Sequence, residues 1–155
     1  MTTQNELDLI FTRDVAVAPE LLYRGWTDAD WLPKWFCPRP WQVTSCELDP
    51  QPGGAFNTVM EGPCCEKVVN VGCYLETTPN RRVVFTDTLS AGYRPTGDSF
   101  MAGVISFDPI EGGTRYRAMI RHKNTEDRDK HLAMGFEDGW GKALDQLVEL
   151  CQAEG

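Results

Sequence analysis

The stretch NTEDRDKHLAMGFEDGWGKALDQLVELCQ, residues 124–152, decides how the rest of the chain must fold. No proline interrupts it, Asn124 or Thr125 is placed to cap its first turn, and Glu126 and Asp127 suit the positive end of a helix dipole. The spacing predicts one long helix over 124–152, roughly 40 Å in length at about 1.5 Å per residue. Its apolar residues Leu132, Phe136, Trp140, Ala143, Leu144, Leu147 and Cys151 recur at intervals of three and four and so form one stripe. A stripe of that length requires a large apolar partner. Gly135, Gly139 and Gly141 each cost roughly 1 kcal/mol relative to alanine inside a helix. Close packing of the backbone on a curved surface, room left for a ligand, and fraying or a kink are the three readings open for them.

Upstream, the chain supplies the partner. From Trp41 the hydrophobic period changes to two, and strands are predicted over 41–48, 55–60, 67–76, 82–89, 101–107 and 114–123. Turn residues separate them: Pro50, Pro52, Gly53 and Gly54, then Pro79 and Asn80, then 92–97, then Gly112 with Gly113. Before them, residues 7–15 alternate closely enough for a first strand, half-buried or at an edge. Pro19 opens a short helix that carries Leu22 and Trp26 four apart and ends near Thr27. A second short helix, capped by Thr27 or Asp28, carries Trp31 and Trp35 and is stopped by Pro38 and Pro40. The predicted architecture is α+β, with residues 1–155 as a single domain in which a curved, seven-stranded antiparallel sheet grips the long C-terminal helix. A sheet curved that strongly leaves space beneath the helix, so a cavity is expected there.

Composition narrows the function. Fifteen lysines and arginines stand against 23 acidic residues, and a net charge of −8 disfavours nucleic acid and anionic membrane surfaces as partners. Residues 1–13 have neither the basic segment nor the apolar run of a secretory signal, so the expected location is cytoplasmic. The six cysteines are scattered and are read as free thiols. With only two histidines and no two-residue cysteine spacing, no metal or other cofactor is expected.

Several segments together carry a family resemblance: Trp26-Thr27-Asp28 followed by Trp35-Phe36; Asp-Pro-Gln-Pro-Gly-Gly-Ala-Phe at 49–56; Gly-Cys-Tyr-Leu-Glu-Thr-Thr-Pro at 72–79; Val84-Phe85-Thr86-Asp87; Gly113-Thr114; and Met-Gly-Phe-Glu-Asp-Gly-Trp at 134–140 leading into Leu144-Asp145-Gln146-Leu147. In this order the chain resembles the Bet v 1-like, START-related helix-grip superfamily, and within it the family named after the C-terminal domain of the activator of Hsp90 ATPase. The resemblance implies the helix-grip fold and a pocket more firmly than a reaction. Related branches bind hydrophobic ligands or cyclise polyketides. The eukaryotic co-chaperones that resemble this domain carry an additional N-terminal domain, which these 155 residues do not contain.

Strand parity proposes the walls of the pocket. In the last strand Tyr116, Ala118, Ile120 and His122 share one face, while Arg115, Arg117, Arg121 and Lys123 share the wet one. By the same parity Phe85 and Asp87 share a face. Together with Trp35, Phe36, Phe56, Phe136 and Trp140, the residues Phe85, Asp87, Tyr116 and His122 make the candidate ligand site. His131 and Glu137 on the helix are also within reach of the rim. No nucleophile elbow, phosphate loop or dinucleotide fingerprint is present, and no catalytic residue is assigned. The leading expectation is binding of a small hydrophobic molecule. The alternatives are a cyclase- or hydrolase-like enzyme, with His122 or Asp87 as base and Tyr116 as donor, and a co-chaperone-like interaction module that acts through its exterior or a homodimer face.

Overall fold

In the computed structural model, which describes residues 4–97 and 99–154, a single turn α1 (Gln4–Leu7) leads into β1 (Asp8–Val15), α2 (Pro19–Thr27) and a 3-10 turn (Leu32–Lys34). Nine further strands follow: β2 (Gln42–Leu48), β3 (Phe56–Glu61), β4 (Lys67–Asn70), β5 (Cys73–Thr78), β6 (Arg82–Thr86), the short pair β7 (Leu89–Ser90) and β8 (Arg94–Pro95), β9 (Ala102–Ile110) and β10 (Gly113–Arg121). Helices α3 (Thr125–Ala133) and α4 (Phe136–Glu154) end the chain. Among the described residues no helix is long and apolar enough to cross a membrane.

The single expected sheet is divided. Five strands run antiparallel in the order β1-β10-β9-β6-β5, with β1 at the edge, and β2-β3-β4 form a separate three-stranded sheet joined to the first by the Ala55–Cys73 bridge. The strand expected over 67–76 breaks at Val71 and Gly72 because two backbones converge there. A side chain at Gly72 would meet the Thr86 carbonyl oxygen at 2.4 Å, while the Gly72 carbonyl accepts from Phe56 N–H at 2.9 Å. Register shifts at Val43/Ser45 and Tyr74/Glu76 add curvature on both sides of this junction.

In β10 the expected alternation holds, with Thr114, Tyr116, Ala118 and Ile120 buried. Their register neighbours Phe107, Ile105, Phe11 and Leu9 are buried on the same face, which is the face that α4 covers. Helix α2 begins at Pro19 as its spacing predicts, whereas the second short helix shrinks to the 3-10 turn before Trp35.

The long helix is two helices. Asn124 caps α3 through its side-chain oxygen, which accepts from Asp127 N–H at 2.8 Å. At the other end α3 stops at Ala133, Met134 is its C-cap, and Gly135 takes φ +85°, a left-handed conformation that a side chain disfavours and that commonly ends helices. The Gly135 N–H reaches back to the Leu132 carbonyl, and the Gly135 carbonyl accepts the first turn of α4 from Gly139 N–H at 2.8 Å. The change of direction takes Leu132 out of the stripe and leaves it 49% exposed. From Phe136 onward the stripe is as read: Phe136, Ala143, Leu144, Leu147 and Cys151 are buried, each large aliphatic contributing about 1.5–3 kcal/mol by leaving water.

Candidate functional site

A cavity of about 230 Å³ opens where α3 gives way to α4. Its helical wall is Phe136, Gly139, Trp140 and Ala143, with His131, Met134 and Gly135 at the joint. The opposite wall comes from Phe85 of β6, Tyr116 of β10, Met60 of β3 and Met101 just before β9. Trp26 of α2 and the segment carrying Trp35, Phe36 and Pro38 close the end. Among the described residues no lysine, arginine or carboxylate lines it.

The walls are fixed by ring packing and by a few directed hydrogen bonds. Trp26 stacks on Trp140 at 6.4 Å and meets Trp35 edge-on at 5.1 Å. The Trp35 indole N–H donates to the Gly25 carbonyl at 2.9 Å, so its ring is held against α2. Gln146, buried on α4, donates to the Trp35 and Cys37 carbonyls at 3.0 and 2.8 Å and accepts from Arg39 N–H at 3.0 Å. One side chain thereby anchors the whole aromatic segment to the helix.

Two polar groups break the apolar lining. The Tyr116 oxygen accepts from the Trp26 indole N–H at 3.2 Å, and its own proton has no acceptor among the described residues. Burial pushes this phenol far above its ordinary range, so it stays protonated and available as a donor. The second group is a pair of buried histidines. His122 Nδ1 lies 2.8 Å from the Leu7 carbonyl, which can only accept, so that nitrogen carries a proton. His122 Nε2 lies 2.9 Å from His131 Nδ1. With both rings neutral, partner chemistry assigns one arrangement: His131 Nδ1–H donates to His122 Nε2, and His131 Nε2 is left bare. That bare nitrogen has no hydrogen-bond partner among the described residues, and its ring lines the cavity between Phe100 and Phe136. Desolvation first, and the neighbouring His122 second, lower the His131 pKa from 6.5 to about 4.

Of the residues proposed from sequence, Trp35, Phe36, Phe85, Tyr116, Phe136 and Trp140 meet around this cavity. Three do not. Phe56 lies behind Phe85, stacked on it at 4.9 Å, because β3 belongs to the second sheet. Asp87 follows the last residue of β6, and its carboxylate accepts from the Phe100 and Met101 backbone N–H groups at 3.0 and 3.2 Å. It secures the loop that places Met101. His122 stands one ring behind the wall, in contact with His131. Glu137, also within reach on paper, is exposed on α4. In the sequence His131 reads as a rim residue and Trp26 only as part of the first short helix, although both are wall residues. The available signal for His131 was that the chain's only two histidines stand one at the end of a strand and the other on the next helix.

The family described as Activator of Hsp90 ATPase homolog 1-like protein matches residues 16–152. A crystal structure of a protein from Nitrosomonas europaea is 42% identical over 98% of both chains, with a TM-score of 0.94. One from Rhodobacter sphaeroides is 25% identical over 97% of this chain and 95% of its own, with a TM-score of 0.83. The AHSA1 protein of Silicibacter pomeroyi shares the fold, with a TM-score of 0.70 and 23% identity over 96% of this chain and 99% of its own. No curated protein sequence matches significantly. The family match spans most of the chain and the fold agrees throughout with that of a protein 42% identical to it, so the chain belongs to the Activator of Hsp90 ATPase homolog 1-like protein family.

Proposed function

We propose that the protein binds a small hydrophobic or aromatic molecule in the cavity between the large sheet and α4. The observation that carries this reading is an uncharged, ring-lined space of about 230 Å³ at a place where a close-packed interior would have been filled. Size limits the occupant. A dry cavity of about 150 Å³ is enough for benzene, so a compound of one substituted ring, or two small fused rings, matches the volume here.

Turnover in the same cavity has less support. Asp87 is tied to two backbone amides, and His122 is held between the Leu7 carbonyl and His131. His131 itself, with a pKa of about 4, is a weak proton acceptor at neutral pH.

The test uses the three tryptophans of the walls, Trp26, Trp35 and Trp140, as reporters. Titration with toluene or indole should change their fluorescence saturably and raise the melting temperature, since a ligand at 100 times its Kd stabilises by about 2.7 kcal/mol. Gly139→Leu fills the cavity from a position where an added Cβ meets nothing within 4 Å. This variant should fold and fail to bind. Equal binding by the variant, or no saturable response from the wild type with any single-ring compound, would remove the reading.

A further inference from the structure

Building on the binding reading, we infer that the cavity selects an uncharged ring compound bearing a hydroxyl group, and that this hydroxyl donates its hydrogen to Nε2 of His131. The arrangement is set from Leu7, far from the cavity in sequence. Its carbonyl fixes the proton of His122 on Nδ1, which leaves His122 Nε2 as an acceptor and forces His131 to turn its own proton inward. The outward nitrogen of His131 is therefore presented as an acceptor. His122 acts as a positioning residue: it sets the tautomer of a neighbour that meets the ligand.

Three further observations define the ligand. An acceptor in an apolar wall disfavours a bare hydrocarbon, which would leave the nitrogen without a partner once water is displaced. An anion is disfavoured as well, since among the described residues no lysine or arginine lines the cavity and His131 stays neutral at pH 7. Finally, a continuous run of rings leads away from His131, through Phe136 at 5.2 Å and Trp140 at 5.7 Å to Trp26, whose indole holds the Tyr116 hydroxyl. A flat apolar body can lie along that run, and Tyr116 offers a donor to any oxygen that reaches it. A phenol-type molecule combines these features; a fatty acid, an amine or an aromatic carboxylate does not.

The probes are p-cresol, toluene, 4-methylanisole and 4-methylbenzoate, titrated into the full chain at pH 7. On this inference p-cresol binds about tenfold more tightly than toluene or 4-methylanisole, which have no hydrogen to donate, and the carboxylate binds worst. In His131→Phe the p-cresol advantage disappears while toluene affinity is kept. In His122→Phe the advantage falls although His131 is intact. Long-range ¹H–¹⁵N spectra of wild-type protein read the tautomer directly and should show the proton of His131 on Nδ1. Equal affinity for p-cresol and 4-methylanisole, preference for the carboxylate, or a proton on Nε2 of His131 overturns the inference but leaves the cavity as a binding site. Failure of all four probes to bind overturns both.

Discussion

Gly139 and Gly141 stand two residues apart on α4, and their surroundings are opposite. A Cβ built on Gly141 would lie 2.9 Å from the Arg13 guanidinium and 3.7 Å from the Phe11 ring; one built on Gly139 meets nothing within 4 Å. At Gly141 the missing side chain lets β1 approach, so that Arg13 crosses the helix to pair with Asp145 at 2.7 Å. At Gly139 the missing side chain leaves part of a cavity wall bare. Gly135 serves a third purpose, as the left-handed residue that separates α3 from α4. The three glycines that looked alike in the sequence thus divide α4 into a half that locks the fold and a half that leaves volume.

The locking half should carry the largest effects. Leu147 is fully buried against Gly25 of α2, where a Cβ would come within 2.4 Å of its Cδ1. Leu147→Ala removes that contact and opens a hole, at an expected cost of about 2–5 kcal/mol measured by urea unfolding. Gln146→Leu follows. It strips partners from two carbonyls and one N–H at the aromatic segment, and about 1–3 kcal/mol should be lost. Trp35 and Phe36 should then loosen, and any ligand affinity with them. Were Gln146→Leu to cost as much as Leu147→Ala, the division of α4 into a locking half defined by packing would need redrawing.

These contrasts explain how far the sequence could be read. Local, periodic features were legible: the N-cap at Asn124, Pro19 at the start of α2, and the inward face of β10 that carries Tyr116. The break at Gly135 was not, because the apolar spacing of three and four passes through it and a glycine is compatible with both a packed and a broken helix. For the same reason 67–76 read as one strand: period-two alternation passes through Val71 and Gly72, and only the approach of the Thr86 carbonyl, a tertiary event, ends it. Parity put Asp87 on the face of Phe85, but β6 stops at Thr86 and the carboxylate turns to the amides of Phe100 and Met101. The meeting of His131 with His122 depends on α3 folding back over the end of β10, which no spacing within either element encodes.

The open half carries a pH signature of intermediate size. The native His131 ring resists protonation down to about pH 4, whereas the unfolded ring takes up its proton near 6.5. Its contribution is complete above about pH 6.5, is lost progressively as the pH falls toward 4, and is constant below that. Because one edge of the ring opens on the cavity, solvent reduces the effect, and up to about 2 kcal/mol is expected. The measurement is the difference in unfolding free energy between wild type and His131→Phe from pH 7 to 4. Depressed carboxylates such as Asp14 and Glu76 are common to both proteins, so they cancel. A difference that does not change over this interval would mean that the ring takes up its proton as readily in the fold as out of it.

The smallest effect has the opposite sign and tests the comparison most directly. Gly139→Ala adds a methyl group where nothing is within 4 Å, in a helical residue whose N–H is bonded to the Gly135 carbonyl. Helix propensity alone should then stabilise the protein by about 0.5–1 kcal/mol, or roughly 2–4 °C for a domain of this size. Gly141→Ala gains the same propensity but displaces the Arg13 guanidinium from Gly141 and Asp145, so its net change should stay within about 0.5 kcal/mol. If glycine at 139 persists because the cavity needs the space, the more stable variant should also be the weaker binder, since the new methyl group intrudes on the wall between Phe136 and Trp140. Stabilisation without loss of affinity would place the occupant elsewhere in the cavity, and destabilisation would show that the wall at Gly139 is closed in solution.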